Sequence, residues 1–293
     1  LGVNAVVAVF SLLQLTGNLA INQGGVRVDA TFGNATYLAV YELFHIFLLL
    51  FCLVRLWQAG SWRRGKWWRV LAAGYVLLGL LDLIILYKTA TRGAILGFGF
   101  GLALTAVLII WRGKKETITR PAAWVTLGLL AIVVAGFFSV RNAPWVAQSE
   151  TLSRFASISI DDRTTQSRFL VWNMSWQGFK ARPILGWGPE NQTAVFFKYY
   201  RPEMREQQPW FDRSHNIILD WLISAGILGL LSYLSIFVFA IRALNKNYRD
   251  KKIIFEEYIL IIGIFVAYFF QNLFLFDNIV TYIPFFAILA WIY

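Results

Sequence analysis

The chain has 293 residues, 58% of them hydrophobic and only 15% charged, where an ordinary soluble domain carries roughly 25% charged residues. Several apolar runs approach the ~20 residues needed to cross a hydrocarbon core, which excludes a soluble globular protein and predicts an all-α, polytopic transmembrane helix bundle. The formal net charge of +11 gathers in short loops between those runs, so it reports topology and not a nucleic-acid partner. The single cysteine, Cys52, excludes an intrachain disulfide framework and a cysteine-built metal site.

Eight spans are predicted, at about 1–15, 35–54, 70–88, 93–111, 121–140, 216–241, 253–275 and 280–293. The first and last are short. With Leu1 at the start in place of Met, and an apolar stretch running to Tyr293, the expectation is a fragment or incomplete gene model that has lost spans on its N-terminal side and some residues at its other end. Loop 55–69 carries Arg55, Arg63, Arg64, Lys66 and Arg69 with no acid. Loop 112–120 carries Arg112, Lys114, Lys115 and Arg120 against Glu116, and loop 242–252 carries Arg242, Lys246, Arg249, Lys251 and Lys252 against Asp250. By the positive-inside rule all three are cytoplasmic. The connections 16–34, 89–92, 141–215 and 276–279 then lie outside. The expected organisation is 1–140, N-terminal transmembrane helices; 141–215, a large extracytoplasmic (periplasmic) loop containing amphipathic helices; and 216–293, C-terminal transmembrane helices.

Within the spans, Glu42 and His45 share a helix face at a spacing of three, and Asp82 lies deep in the run 70–88. Ionisable groups at that depth are costly and often functional. They suit a proton path in a transporter, or pairing within the bundle, and pairing is the reading placed first. In the fourth span, Arg92 stands at the outer end of Thr91-Arg92-Gly93. Gly93, Gly97 and Gly101 follow at four-residue spacing and present a smooth face for close helix packing. On its own Arg92 reads as a snorkelling end charge.

The segment 141–215 holds ten basic and seven acidic residues and is rich in aromatics. A connection of that length is functional or disordered, and its aromatics argue against disorder. Phe169, Trp172, Trp176 and Phe179 recur at spacings of 3, 4 and 3, which predicts a helix with one aromatic face lying on the membrane surface or against the bundle. Arg168 opens that face. Pro183 ends the helix, and Gly186-Trp187-Gly188-Pro189 makes a tight turn. A short apolar piece at 193–200 follows, then a polar stretch to Ser214.

His215 stands where this polar segment meets the apolar run that starts at Ile217, with Ser214 or Asp212 available to cap the helix. A helix N-terminus disfavours imidazolium, and a neutral imidazole at a water interface can accept a proton from a hydroxyl. The alternative is an interfacial histidine that only caps or anchors. Metal-bound nucleotide-sugar chemistry and ATP use are disfavoured: there is no Asp-x-Asp pair, no P-loop and no His-Glu-x-x-His.

The stretch HNIILDWLISAGILG contains His215, Asn216, nine residues, Gly226, two residues and Gly229. It resembles the pattern of O-antigen ligases and bacterial protein O-oligosaccharyltransferases. SRFLVWNMSWQGFKARPILGWGPENQ resembles the segment that precedes that histidine in the family. TRGAILGFGFG is similar to its Ser/Thr-Arg-Gly helix start, and RVDATFGNATYLA to its Arg…Thr-Phe-Gly-Asn stretch. The resemblance covers roughly 26–275 in the right order.

The resemblance implies a GT-C-like membrane glycosyltransferase that is metal-independent, inverting and without a cofactor. Its donor is an undecaprenyl-diphosphate-linked glycan, and its acceptor a hydroxyl on the lipopolysaccharide core, on a growing glycan (a polymerase) or on a protein, in that order. It implies a bacterial inner-membrane protein with its site on the periplasmic side, and membrane lipid as the source of the donor. Arg92 and Arg168 are implied to hold the diphosphate and His215 to orient or deprotonate the acceptor hydroxyl. Arg27, Arg182, Arg213 and Asn216 are weaker, substrate-binding candidates. A lipid-linked glycan transporter using Glu42, His45 and Asp82 is the alternative of a different class, and a structural or assembly membrane protein is the third.

Overall fold

The computed structural model describes residues 1–22, 26–60, 65–113, 119–159, 162–207 and 210–293. Its elements are helices: α1 (Gly2–Leu15), α2 (Ala35–Gln58), α3 (Lys66–Lys88), α4 (Arg92–Arg112), α5 (Thr119–Val140), α6 (Pro144–Gln148), α7 (Glu150–Ala156), α8 (Arg163–Ala181), α9 (Gln192–Lys198), a 3-10 turn (Pro202–Glu206), α10 (Ile217–Arg249), α11 (Phe255–Asn272) and α12 (Ile279–Ile292). Among the described residues, α2, α3, α4, α5, α10 and α11 are long and apolar enough to cross a membrane. The chain is a multi-pass membrane helix bundle. The short first and last runs form helices of 14 residues each, about 21 Å at 1.5 Å per residue, against a hydrocarbon core of about 30 Å.

Helix α2 and helix α11 are the most enclosed spans, and α5 buries only Ala123. Phe44 and Phe47 of α2, Tyr233 and Phe237 of α10, Ile264, Phe265 and Tyr268 of α11 and Phe285 of α12 make the central cluster. Helix α4 closes on α11 through its glycines. A Cβ added at Gly93 would stand 2.8 Å from Gln271 Oε1, at Gly97 2.7 Å from the Ala267 carbonyl, and at Gly101 2.6 Å from the Gly263 carbonyl. In lipid, where burial in a neighbouring helix gains little over burial in acyl chains, such backbone approach is what binds helices. The glycine face anticipated from spacing is therefore the α4–α11 contact.

Several helices outrun the apolar stretches that announced them. Helix α2 continues to Gln58, α3 begins at Lys66, and α10 continues to Arg249. Hydropathy marks the membrane and not the end of the hydrogen-bonded ladder, and Arg55, Lys246 and Arg249 suit the C-terminal turns of α2 and α10. Arg63, Arg64, Lys114, Lys115 and Glu116 lie outside the described residues.

The intramembrane carboxyls sit in the bundle. Asn4 of α1 donates to Asp82 Oδ2 at 2.8 Å, Glu42 lies beside Asp82, and all three side chains are fully buried. His45 does not turn to Glu42, because its Nδ1 is 2.8 Å from the Tyr41 carbonyl of its own helix.

The segment after α5 is folded. In α8 the buried face is Ser167, Val171, Met174, Ser175 and Gly178. The aromatic stripe runs along its flank, with Phe169 and Trp176 about half exposed, as a helix lying at an interface requires. The turn after Pro183 reaches α10: Trp187 N donates to the Ile223 carbonyl (2.6 Å), Gly188 N to Ser224 O (3.1 Å), and Ile227 N to Pro183 O (2.8 Å). Helix α10 breaks where that turn enters, at Gly226 (φ 65°, ψ −161°). A Cβ at Gly226 would stand 2.2 Å from Ile184 O, and one at Gly186 2.4 Å from Ile223 O. Only glycines permit this joint.

Candidate functional site

One end of the bundle gathers the starts of α2, α4, α8 and α10 and the end of α11. There a cavity of about 340 Å³ is lined by Thr36 from the first turn of α2, Arg92 and Gly93 from that of α4, Thr164 and Thr165 from that of α8, and His215 just before α10. Arg27, Thr91, Arg154, Arg168 and Gln271 complete its polar wall, and Leu96, Ile158, Phe274 and Leu275 its apolar one. Helix N-termini carry unsatisfied N–H groups and a partial positive charge. Four guanidiniums added to them make a site for an anion.

Each arginine is placed by local structure. The Arg27 Nε donates to the Thr89 carbonyl at 2.8 Å and its Nη2 to Thr91 Oγ1 at 2.9 Å, which ties the 26–34 connection to the α3–α4 corner. Arg92 is the first residue of α4 and its Nη1 lies 3.6 Å from Asp162 Oδ2. Arg154 comes from α7, which Thr151 pins to the end of α3 by donating to the Tyr87 carbonyl at 3.0 Å. Arg168 rides on α8, one turn past Thr164.

The charges are poorly compensated. Burial, then the Arg154 charge, lowers Arg27 to about 10. Burial followed by Arg92 lowers Arg154, and burial followed by Arg92 and Arg154 lowers Arg168. The guanidiniums stay charged at neutral pH; burial first, and their mutual repulsion second, disfavours that charge, and a bound anion relieves the repulsion. The Arg154 Nε is buried without a hydrogen-bond partner among the described residues. Asp162 and Glu150, the carboxylates that act on this group, do not line the cavity.

His215 has φ 52°, a left-handed conformation that costs a non-glycine residue about 1–3 kcal/mol. Its ring stands edge-on to Phe211 (5.5 Å) and Phe276 (5.3 Å), and Trp172 of α8 donates to the preceding Ser214 carbonyl at 3.0 Å. Burial first, then the charge of Arg168, holds its pKa down to about 4. The imidazole is neutral at pH 7, so one ring nitrogen carries a lone pair.

A second cavity, of about 270 Å³, adjoins the first. It is lined by Arg163, Thr164, Ser167, Arg168, Glu206, Gln207, Phe211 and His215. Thr164, Arg168 and His215 belong to both.

Arg27, Arg92, Arg168 and His215 are thus brought to one cavity, and three other sequence candidates are engaged elsewhere. Asn216 is the N-cap of α10: its Oδ1 accepts from Ile218 N (3.0 Å) and Leu219 N (3.1 Å) while its Nδ2 donates to the Leu273 carbonyl. The cap is therefore neither Ser214 nor Asp212. Ser214 instead donates to the Asn216 carbonyl at 2.9 Å, which an N-cap position beside the first helical residue leaves within its reach. Arg213 makes a two-point bridge to Asp220 (3.0 and 2.6 Å), reaches Glu190 at 3.1 Å and lies over Phe276. Burial opposes its charge, but Asp220 more than offsets this and raises its pKa. Arg182 lies over the Trp187 ring. Arg154 is the residue that sequence reasoning did not single out. No local pattern marks it, and only the packing of α7 on α3 carries it to the cavity.

No curated protein matches the chain. The family model described as O-Antigen ligase matches residues 77–234, more than half of the chain. The matched stretch includes Arg92, Arg154, Arg168 and His215 and the whole Gly186–Gly226 joint. The chain belongs to the O-Antigen ligase family, a family associated with glycosyl transfer.

Proposed function

We propose that this protein transfers a glycan from an undecaprenyl-diphosphate carrier to an acceptor hydroxyl, with the lipopolysaccharide core as the first-ranked acceptor, on the outer face of the bacterial inner membrane. The observation that carries the reading is the arginine cavity. Four guanidiniums and three helix N-terminal turns surround a space next to a neutral histidine. A diphosphate is the anion that such a site suits, because guanidiniums match its oxygens in bidentate fashion. The positive-inside rule supports this sidedness: Arg55, Arg112, Arg242 and Lys246 lie toward the far ends of α2, α4 and α10, away from the ends that meet at the cavity, and Lys66, Arg69 and Arg120 start α3 and α5 beside them in the chain.

In this mechanism Arg92, Arg154 and Arg168, with Arg27 behind them, bind the diphosphate and balance the charge that grows on it as the C1–O bond breaks. Preorganised donors of this kind contribute about 3–4 kcal/mol each to a transition state. The acceptor oxygen forms its bond to C1 as its proton passes to a ring nitrogen of His215, and the lipid diphosphate leaves with the bonding pair. A single displacement inverts the anomeric carbon. His215, with its pKa held down to about 4, is a weak base before the donor binds. An anion on Arg168 removes part of what holds that pKa down, so donor binding strengthens the base.

The test is transfer by the purified full-length protein from undecaprenyl-diphosphate glycan to core oligosaccharide. His215→Ala and Arg168→Ala are each expected to lose transfer by about 10²-fold or more. Unimpaired transfer in both variants overturns the assignment of roles. Movement of the lipid across the bilayer with no acceptor glycosylated establishes a transporter instead. Glu42 and Asp82, on which that alternative would draw, line neither cavity.

A further inference from the structure

The second cavity has a different chemistry from the first. Beside the shared Thr164, Arg168 and His215, it presents a carboxylate (Glu206), an amide (Gln207), a hydroxyl (Ser167), a guanidinium (Arg163) and an aromatic ring (Phe211). Among the described residues, the first cavity offers donors to an anion and is lined by no carboxylate. A diphosphate accepts hydrogen bonds but donates none at neutral pH, so it gains nothing from Glu206 and is repelled by it. A polyhydroxylated ligand both donates and accepts at every ring hydroxyl, and a carboxylate next to an amide satisfies it.

The described residues around these groups are held by packing. Glu206 ends the 3-10 turn Pro202–Glu206, whose Met204 is fully buried. Met204 packs with Val171 and Met174 of α8, Phe196 of α9, and Phe211. Glu206, Gln207 and Phe211 are therefore anchored to the same helix that carries Arg168, and the Phe211 ring also buttresses His215. Gln192 adds a tie by donating to Ser175 Oγ of α8 at 2.9 Å.

We infer that this second cavity is the acceptor subsite, and that Glu206 and Gln207 at the end of the 3-10 turn select a sugar acceptor by hydrogen-bonding its ring hydroxyls. The inference rests on the transferase reading above. The acceptor class is a saccharide terminus and not a serine or threonine of a protein chain. The cavity is small, near the lower end of the roughly 300–1,000 Å³ usual for small-molecule sites, and it holds one sugar ring with its hydroxyl directed at His215. Donor and acceptor meet only at Thr164, Arg168 and His215, which places the transferred bond at that seam.

The experiment measures KM separately for donor and acceptor with the full-length protein. The donor probe is undecaprenyl-diphosphate glycan extracted from membranes. The acceptor probes are core oligosaccharide, the glycan released from the donor, and a serine- and threonine-containing peptide. Glu206→Ala is expected to raise the saccharide KM about tenfold or more, as loss of a hydrogen bond to a charged group does, while donor KM stays put. Arg92→Ala, in the first cavity only, is expected to do the reverse. Glu206→Gln keeps the shape and some of the bonding and is expected to fall between Glu206→Ala and wild type, which separates binding from misfolding. An unchanged saccharide KM in Glu206→Ala, a parallel rise in donor KM, or use of the peptide in place of both saccharides overturns the inference. Failure of the transferase reading itself looks different, because the wild type then consumes no donor with any probe.

Discussion

Two groups of arginines stand at the same end of this bundle and do opposite things. Arg213 is fully answered: Asp220 bridges it at two points, Glu190 adds a third, and Phe276 lies beneath. Arg27, Arg92, Arg154 and Arg168 crowd a cavity with few carboxylates in reach, and burial and mutual repulsion press three of them toward lower pKa. Both groups are rich in charge, but only one is unfinished without a ligand. A buried ion pair is weak evidence for anything beyond its own local geometry, whereas buried like charges around a space are stored electrostatic free energy that an anion releases. Function is read from the imbalance, not from the count of cations.

The contrast can be broken most decisively at its centre. Arg168→Ala is expected to lower transfer by about 10²–10³-fold, the cost of removing one preorganised donor, and a kcat assay at saturating donor checks it. Arg154→Ala sharpens the case, since nothing in the local sequence nominates this residue. It is expected to raise donor KM about tenfold, and a donor titration decides whether the unpartnered Nε is free for a ligand. Arg213→Ala is expected to go the other way, leaving donor KM near wild type and destabilising the protein by about 2 kcal/mol as Asp220 loses its partner, visible as a drop in Tm. A large donor-KM effect at Arg213 without a loss of Tm would erase the distinction between the two groups.

The pH dependence gives a finer test. Catalysis uses neutral imidazole, so activity is lost as pH falls through the pKa of His215. In the free protein that pKa is about 4, below the ordinary 6.5, because burial and Arg168 disfavour the cation. The acid limb of kcat/KM is expected near pH 4, and that of kcat, with the anion on Arg168, at higher pH. The stability linkage has the matching sign. Between pH 6.5 and 4 the unfolded chain binds a proton at His215 that the folded one refuses, so His215 reduces stability as pH falls through that window. Smallest of all, His215→Gln is expected to flatten that part of the stability–pH curve.

Much of this was legible in the sequence, for identifiable reasons. The spans followed from hydropathy, which is set by the lipid. A close-packing face on α4 followed from the spacing of Gly93, Gly97 and Gly101, while its partner, α11, is visible only in the fold. Arg92, Arg168 and His215 stood beside patterns resembling a known family. Less was legible where contact depends on three dimensions. Arg154 reaches the cavity only because Thr151 fastens α7 to the end of α3. Asn216 and Arg213 flank His215 in the chain, yet their side chains face the α10 cap and Asp220, because neighbours at a helix start point in different directions. Gly226 was visible as a family-like glycine inside one expected span, but the break there and its reason, the Ile184 carbonyl in the place of a Cβ, belong to the fold.

The most direct test of the central claim is titration of undecaprenyl diphosphate into the full-length protein in nanodiscs, comparing wild type with Arg92→Ala, Arg154→Ala, Arg168→Ala and Arg213→Ala. Anion recognition by the open cavity predicts weaker binding in the first three variants, with a shallower dependence on salt, and wild-type affinity in the fourth. Equal affinity across all five proteins, or a loss confined to Arg213→Ala, contradicts it.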